Sequence, residues 1–532
     1  VRDPASGEIV CRSELEGAGY VPPSSPFPAQ NDDFNLSTFE AGDGTCVPIN
    51  IFGQNTITAE AADWIFQPTT SQNTIEQRNF LATLSGSSEP WFSLPAGAID
   101  FAVGYEWRAE ESAFKPDGLT AAGLTFGTIG SNGGPQNASF GEYEVSEFFV
   151  EGRVPLIADV PFIRRLEVQG AYRYSDYDVF ESTDTWNVGG RWSIVDSLTL
   201  RTTVSKAVRV PNIFEAFSPV FTDFIGAASD PCNPQFINAG SEFRAQNCAA
   251  LIPDIANYNS TNFVSARIPG QNGGNPDLMP EEADTFTLGA VWRPAGEFQG
   301  FFDGLVVTLD YYDIEIEGLI DSLTAFQIAQ NCVDLPTLNN QFCDAIDRDP
   351  TNGFITGFRS GQVNLGSVET SGVDFRVDYG FDLANFGEIP GRILLSSQGT
   401  HFIKNDEVRD PTAPDDVVDV QGELSRPDWI VNFNADYIVG DWNLGWRGRF
   451  ESDQLLSGIT NLDVESDPDF ANFTKTGTAF VHDISASYTL SDRYEIYGGV
   501  NNLTEVDPFR GALSRPAGPR GRFFYIGLNA TF

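Results

Sequence analysis

His401 and His482 are the only histidines in the chain, too few for an H-E-x-x-H zinc helix or a His-rich metal cluster. No G-x-S-x-G marks a hydrolase nucleophile. Adjacent acids at Glu110-Glu111, Glu281-Glu282 and Asp415-Asp416 have the chemistry of a glycosidase carboxylate pair. In a chain with 74 Asp and Glu, however, such neighbours arise by chance. The stretch Asp344 to Gly353, DAIDRDPTNG, superficially resembles a calcium loop but lacks the alternating ligands and closing Glu of an EF-hand. A solvated loop is expected there. These residues point to no enzyme, no metal and no cofactor.

The cysteines form three sequence-local couples: Cys11 with Cys46, Cys232 with Cys248, and Cys332 with Cys343. None has C-x-x-C spacing, and each couple lies in a Pro-, Asn- and Asp-rich stretch that reads as loop. Disulfides that staple loops, and therefore an oxidising compartment outside the cytoplasm, are expected. A formal net charge of −43 repels a phosphate backbone, so nucleic acid is excluded as a partner.

The elements that carry these residues are strands. The closing stretch, RGRFFYIGLNATF, sets Phe524, Ile526, Leu528, Ala530 and Phe532 against Arg522, Tyr525, Gly527, Asn529 and Thr531, a period of two. GAIDFAVGYEWR (97–108), RRLEVQGAYRYSDY (164–177) and SLTLRTTVSKA (197–207) repeat it. DWIVNFNADYIVGDWNLGWRGRFE (428–451) reads as two strands around Gly440-Asp441. About fifteen such segments, most about ten residues long, match the tilted strands of a transmembrane barrel. Short turns (Gly440-Asp441, Val195 to Ser197, Ser491-Asp492) alternate with long polar connections (Phe221 to Asp284, Leu319 to Gln362, Asp453 to Ala479), which predicts a short-turn rim and a long-loop rim. Aromatics near segment ends, among them Tyr105, Trp107, Tyr172, Tyr174, Tyr311, Tyr312, Trp429, Trp442 and Trp446, fit an interfacial girdle, and an aromatic last residue, Phe532, would anchor a terminal strand that must pair.

Six blocks in order then resemble the barrel of TonB-dependent outer-membrane receptors: LRTTVSKAVRVPNIFEAFSP (200–219), NPDLMPEEADTFTLGAVWRP (275–294), LDYYDIEIEGLI (309–320), VETSGVDFRVDYGF (368–381), YEIYGGVNNLTEVDPF (494–509) and the final GRFFYIGLNATF. The resemblance covers about Phe80 to Phe532. It implies an all-β transmembrane antiparallel barrel of about 22 strands in the bacterial outer membrane, of which this chain supplies about fifteen. The blocks themselves read as strand ends and turns, for example Pro211 after Arg209-Val210, and identify the fold, not a binding site.

The family has an N-terminal plug domain and a segment gripped by TonB, and neither is in this sequence. An open cylinder leaves unpaired edges in lipid, so the chain is expected to be the C-terminal part of a longer or split receptor, its plug and first strands elsewhere or on a separate chain. Residues 1–75 are expected to be mainly an extracellular loop region holding Cys11 and Cys46, and 76–532 the barrel. The implied function is capture of a scarce nutrient, of siderophore, cobalamin or oligosaccharide type, and its import with energy from TonB. Implied partners are TonB through the missing plug segment, outer-membrane lipids, a small-molecule substrate and a surface lipoprotein. Substrate contacts are expected from the loop aromatics Phe217, Phe221, Phe224, Tyr258, Phe354 and Phe358. The lumen is expected to be lined by Arg173, Arg201, Asp310, Asp374, Arg447 and Arg449, and membrane insertion to involve Tyr525 and Phe532 of the terminal strand. A passive outer-membrane pore or a surface-exposed β adhesin is the alternative.

Overall fold

The structure, a computed structural model, describes residues 3–11, 15, 46–66, 68–122, 135–226, 229–260, 267–294, 302–364, 366–408, 417–455, 475–509, 515–518 and 520–531. In chain order the strands are β1 Gln72–Ser87, β2 Asp100–Lys115, β3 Ser139–Val160, β4 Ile163–Tyr177, β5 Thr183–Val195, β6 Leu198–Arg209, β7 Phe221–Gly226, β8 Arg267–Gly273, β9 Glu281–Trp292, β10 Leu305–Glu317, β11 Ile320–Leu323, β12 Ile346–Arg348, β13 Ile355–Asn364, β14 Ser367–Asp382, β15 Arg392–Val408, β16 Val417–Asp419, β17 Trp429–Val439, β18 Trp442–Glu451, β19 Ala479–Ser491, β20 Tyr494–Asn501 and β21 Phe523–Ala530. No described helix is long and apolar enough to cross a membrane; strands do the crossing.

One antiparallel sheet of 16 strands runs β1-β2-β3-β4-β5-β6-β9-β10-β14-β15-β17-β18-β19-β20-β21, with β16 hydrogen-bonded beside β15. Every neighbour on this path is also the next strand in sequence once β7, β8, β11 to β13 and β16 are set aside, the meander expected of an up-and-down barrel. Several strands exceed the ten residues predicted: β3 has 22 and β15 has 17. A tilted strand needs only about 9–11 residues to cross the hydrocarbon, so these continue past the bilayer into the long-loop rim.

The faces sort as the alternation predicts. On β21, Phe524, Ile526 and Leu528 are 68%, 83% and 61% exposed, an outward apolar stripe, while Tyr525 turns to the other face and lies 6.4 Å from the Tyr497 ring. Phe532 lies outside the described residues. Gly440, at φ +57°, opens the two-residue turn between β17 and β18 in the left-handed region that such hairpins need. The structure also carries all three disulfides, Cys11–Cys46, Cys232–Cys248 and Cys332–Cys343.

At the long-loop rim, the β6-to-β9 and β10-to-β14 connections are not two separate loops. Their strands interleave in a second sheet, ordered β11-β13-β8-β7 with β12 against β13. Helix Ala325–Asp334 packs on it. Thr324 and Gln327 close its first turn in a capping box, and its buried residues Ala325, Ile328, Ala329, Cys332 and Val333 form a single stripe. Ile328, Cys332 and Val333 of that stripe join Cys232, Cys248, Ile252, Tyr258 and Phe342 in one apolar core.

Candidate functional site

Two regions hold the predicted site residues: the face of the large sheet opposite its exposed apolar stripe, and the loop module. On that face, each predicted Arg is placed by strand alternation and meets an acid from its own or a nearby strand. Arg201 of β6 grips Asp310 of β10 with two hydrogen bonds, 2.9 and 2.6 Å. The intervening β9 presents Gly289 there, where an added Cβ would stand 1.8 Å from Asp310 Oδ1, so the glycine makes room for the pair. Arg447 reaches both Asp436 carboxylate oxygens through Nη2, each at 2.9 Å. Arg173 reaches Glu147 at 3.0 Å and Glu106 at 3.3 Å, and its guanidinium lies 4.9 Å from the Phe149 ring centroid. Arg449 pairs with Glu451 at 2.5 Å, and Asp374 accepts a 2.6 Å bond from Thr400. The four arginines and Asp310 are thus held in ion pairs, Asp374 is held by a hydroxyl, and a cleft of ≈ 390 Å³ brings Arg201, Asp310 and Asp374 together.

The loop aromatics do not converge on one surface. Tyr258 is 5% and Phe358 2% exposed. Tyr258 belongs to the main core of the module, where Phe354 packs against it at a ring distance of 5.4 Å. Phe358 packs with Ile225 and Ala325 in a neighbouring cluster. Phe217 lies elsewhere, against Tyr143, Phe180 and Ile213 where β3 leaves the barrel. Phe221 and Phe224 sit on β7, both half-buried. The two most buried rings hold the module together and present no face for stacking.

The solvated loop expected at Asp344 to Gly353 is corrected by the structure. Ile346–Arg348 is strand β12, and only Asp349 to Gly353 is a turn, closed by Thr351 and Asn352 donating to the Asp349 carboxylate. Those bonds hold the Asp349 carboxyl below the usual aspartate range. Arg348 turns inward to Asp230, which also accepts a 2.6 Å bond from the Tyr258 hydroxyl. Burial first, and then the Asp230 charge, push the Tyr258 phenol above its ordinary pKa. Burial opposes the Arg348 charge, yet Asp230 holds its pKa above the ordinary arginine value. A second pair, Arg244 to Asp334, joins helix Arg244–Leu251 to helix Ala325–Asp334, with the Nε bond at 2.6 Å.

Beside this core lies a cleft of ≈ 520 Å³ between β8, β13 and helix Gln341–Asp344, lined among others by Gln271, Asn272, Gln341, Arg359 and Gln362. Alternation could not have revealed it, because its residues come from three segments of different type. The module is tied to the barrel at Glu281, which accepts 2.5 and 2.6 Å bonds from Arg209 and a 2.7 Å bond from the Ile320 backbone. No group of His, Cys, Asp and Glu able to hold a metal occurs among the described residues.

The family model "TonB dependent receptor-like, beta-barrel" matches residues 26–503. No curated protein matches the chain. Among solved structures, the siderophore receptor PirA of Acinetobacter baumannii is similar at 16% identity and TM-score 0.53, over 86% of this chain and 55% of that one. A mutant ferric enterobactin receptor PfeA of Pseudomonas aeruginosa in complex with enterobactin is similar at 15% identity and TM-score 0.55, over 86% of this chain and 55% of that one. A double mutant of the hemophore receptor HasR of Serratia marcescens, in complex with its hemophore HasA and heme, follows at 16% identity and TM-score 0.50, over 87% and 60%. The chain therefore spans little more than half the length of these receptors.

Proposed function

Because the chain belongs to the TonB-dependent receptor β-barrel family, we propose that it supplies most of the wall and the main ligand-facing loops of an outer-membrane receptor that takes up a scarce nutrient with energy from TonB. The chain is a bacterial outer-membrane β-barrel protein. The observation that carries the transport reading is the folded module on the long-loop rim, stapled by Cys232–Cys248 and Cys332–Cys343 and fixed to the wall through Glu281. A passive pore has no need of such an ordered structure over its mouth. A receptor does, because affinity requires a surface organised before the ligand arrives.

In this reading the nutrient binds at the module, the plug and TonB-gripped segment come from outside this sequence, and the paired lumen charges form the polar wall past which cargo moves. The rows of Arg–Asp and Arg–Glu pairs support that role, since a neutralised wall holds neither anions nor cations strongly. The test is uptake by cells carrying the whole receptor, with and without TonB. Uptake that requires TonB is expected; uptake that continues unchanged in its absence is that of a passive pore and sinks the reading.

A further inference from the structure

Resting on the receptor reading, we propose that the ≈ 520 Å³ cleft of the loop module binds an uncharged, hydroxyl-rich ligand, an oligosaccharide. Its volume falls within the roughly 300–1,000 Å³ of ligand pockets. Four of its lining residues, Gln271, Asn272, Gln341 and Gln362, carry side-chain amides that make no hydrogen bond to any described residue, while the amides and carboxylates of the nearby core are paired. Each amide offers two donors and an acceptor, the combination that sugar hydroxyls, themselves donors and acceptors, can satisfy. Val220 and Val363, also in the lining, give the C–H faces of a sugar ring an apolar surface, while Ile328 and Phe342 lie buried beneath them; Asp277 and Asp344 line the cleft as well.

Charge disfavours anionic ligands. Residues 210–280 and 318–366 contain 11 acidic and 4 basic residues, a formal net charge of −7. Three of the four cations, Arg244, Arg348 and Arg359, are committed to Asp334, Asp230 and Asp347. Arg359, which reaches the cleft, also donates to the Asp344 carbonyl. An anionic ferric complex would meet an excess of acids, with three of the four cations already paired. A peptide adding as a strand is also disfavoured. The cleft opens beside β8 and β13, and both are interior strands of their sheet, β8 between β7 and β13 and β13 between β8 and β11, so no free backbone edge is offered.

The experiment is microscale thermophoresis on the whole receptor that carries this chain, purified in detergent, with maltohexaose, cellohexaose, xylohexaose, an uncharged hexapeptide and ferric enterobactin as probes. Binding of at least one hexasaccharide is expected, with affinity that changes less than about twofold between low and high salt, as for a neutral ligand. It should weaken on the order of tenfold in a Gln271→Ala, Gln341→Ala double variant. Gln341→Ala alone, at an exposed position, should weaken it in part and guards against misfolding of the double variant. Failure of every hexasaccharide to bind, or binding indifferent to both variants, overturns the proposal. Ferric enterobactin or the peptide bound in place of sugar also overturns it, yet leaves the transport reading standing, since that reading fails only on uptake independent of TonB.

Discussion

Arg348 and Asp230, 118 residues apart in sequence, form a two-pronged ion pair, Nη1 to Oδ2 at 2.7 Å and Nη2 to Oδ1 at 3.1 Å, with 9% and 1% of their side chains exposed. The two long connections of the rim meet in this pair. Removing one partner strands the other charge in an apolar core, which typically costs about 3–5 kcal/mol. Arg348→Ala is therefore expected to unfold the module locally while the barrel stays intact. Hydrogen exchange should accelerate in residues 229–260 and 346–364 and remain unchanged in β17 to β20. A joint Arg348→Met, Asp230→Leu change should be much milder. Equal damage from both would show that the pair itself is not what holds the loops.

Tyr258 gives the same core a pH dependence. Its phenol is held above its ordinary pKa by burial and by Asp230, so the folded module keeps a proton that the unfolded chain releases near pH ~10. The unfolded state then binds fewer protons, and stability falls as pH rises from about 10 toward the folded value. Protease resistance of the module should be flat through neutrality and drop at alkaline pH. Tyr258→Phe should abolish the drop, at the cost of a 2.6 Å bond to Asp230. An alkaline drop that survives in Tyr258→Phe would assign it to another group.

The disulfides close loops of 16 and 11 residues, for which chain entropy predicts roughly 3 kcal/mol each. Cys232, Cys248 and Cys332 are almost wholly buried, so reductant should act only when the module opens. Reduction is expected to be slow in the native protein, faster in Arg348→Ala, and to leave heat-resistant barrel migration on a gel unaltered. Rapid thiol labelling of the untreated protein by a small maleimide would contradict this.

The barrel was legible because its signal is local. A period of two in ten residues says which side chain faces lipid, and β17 with β18 could be read down to the turn at Gly440-Asp441. The strand face that carries the arginines followed from the same rule, although their partners did not, since Arg201 meets Asp310 from 109 residues away. The loop module stayed hidden because it is assembled from distant polar stretches. Asn247 donates to the Val333 and Leu335 carbonyls, and nothing near either segment announces the other. Stretches rich in Asn, Asp and Pro read as solvated, and Arg348, which anchors a core, looked like one more charge in DAIDRDPTNG. Aromatic identity was equally silent on burial: Phe358 and Phe221 read alike in sequence, one closed in a core and the other half-open on a strand.

The lipid face of β21 provides the sharpest check on the barrel reading. Ile526 is 83% exposed, and it lies between Phe524 and Leu528 on the same outward stripe. In water such a stripe would be an aggregation site; in a bilayer it is the solvated surface. Arg at Ile526 is expected to cost about 2–4 kcal/mol if the residue sits near the midplane, and less toward either interface. Thr at the neighbouring Tyr525, which packs beside Tyr497 of the adjacent β20 on the opposite face, should cost only lost packing. Urea unfolding from lipid vesicles distinguishes the two. Ile526→Arg should fail to insert or unfold at clearly lower denaturant than Tyr525→Thr, and the order should reverse if the face read as outward in fact points into the lumen.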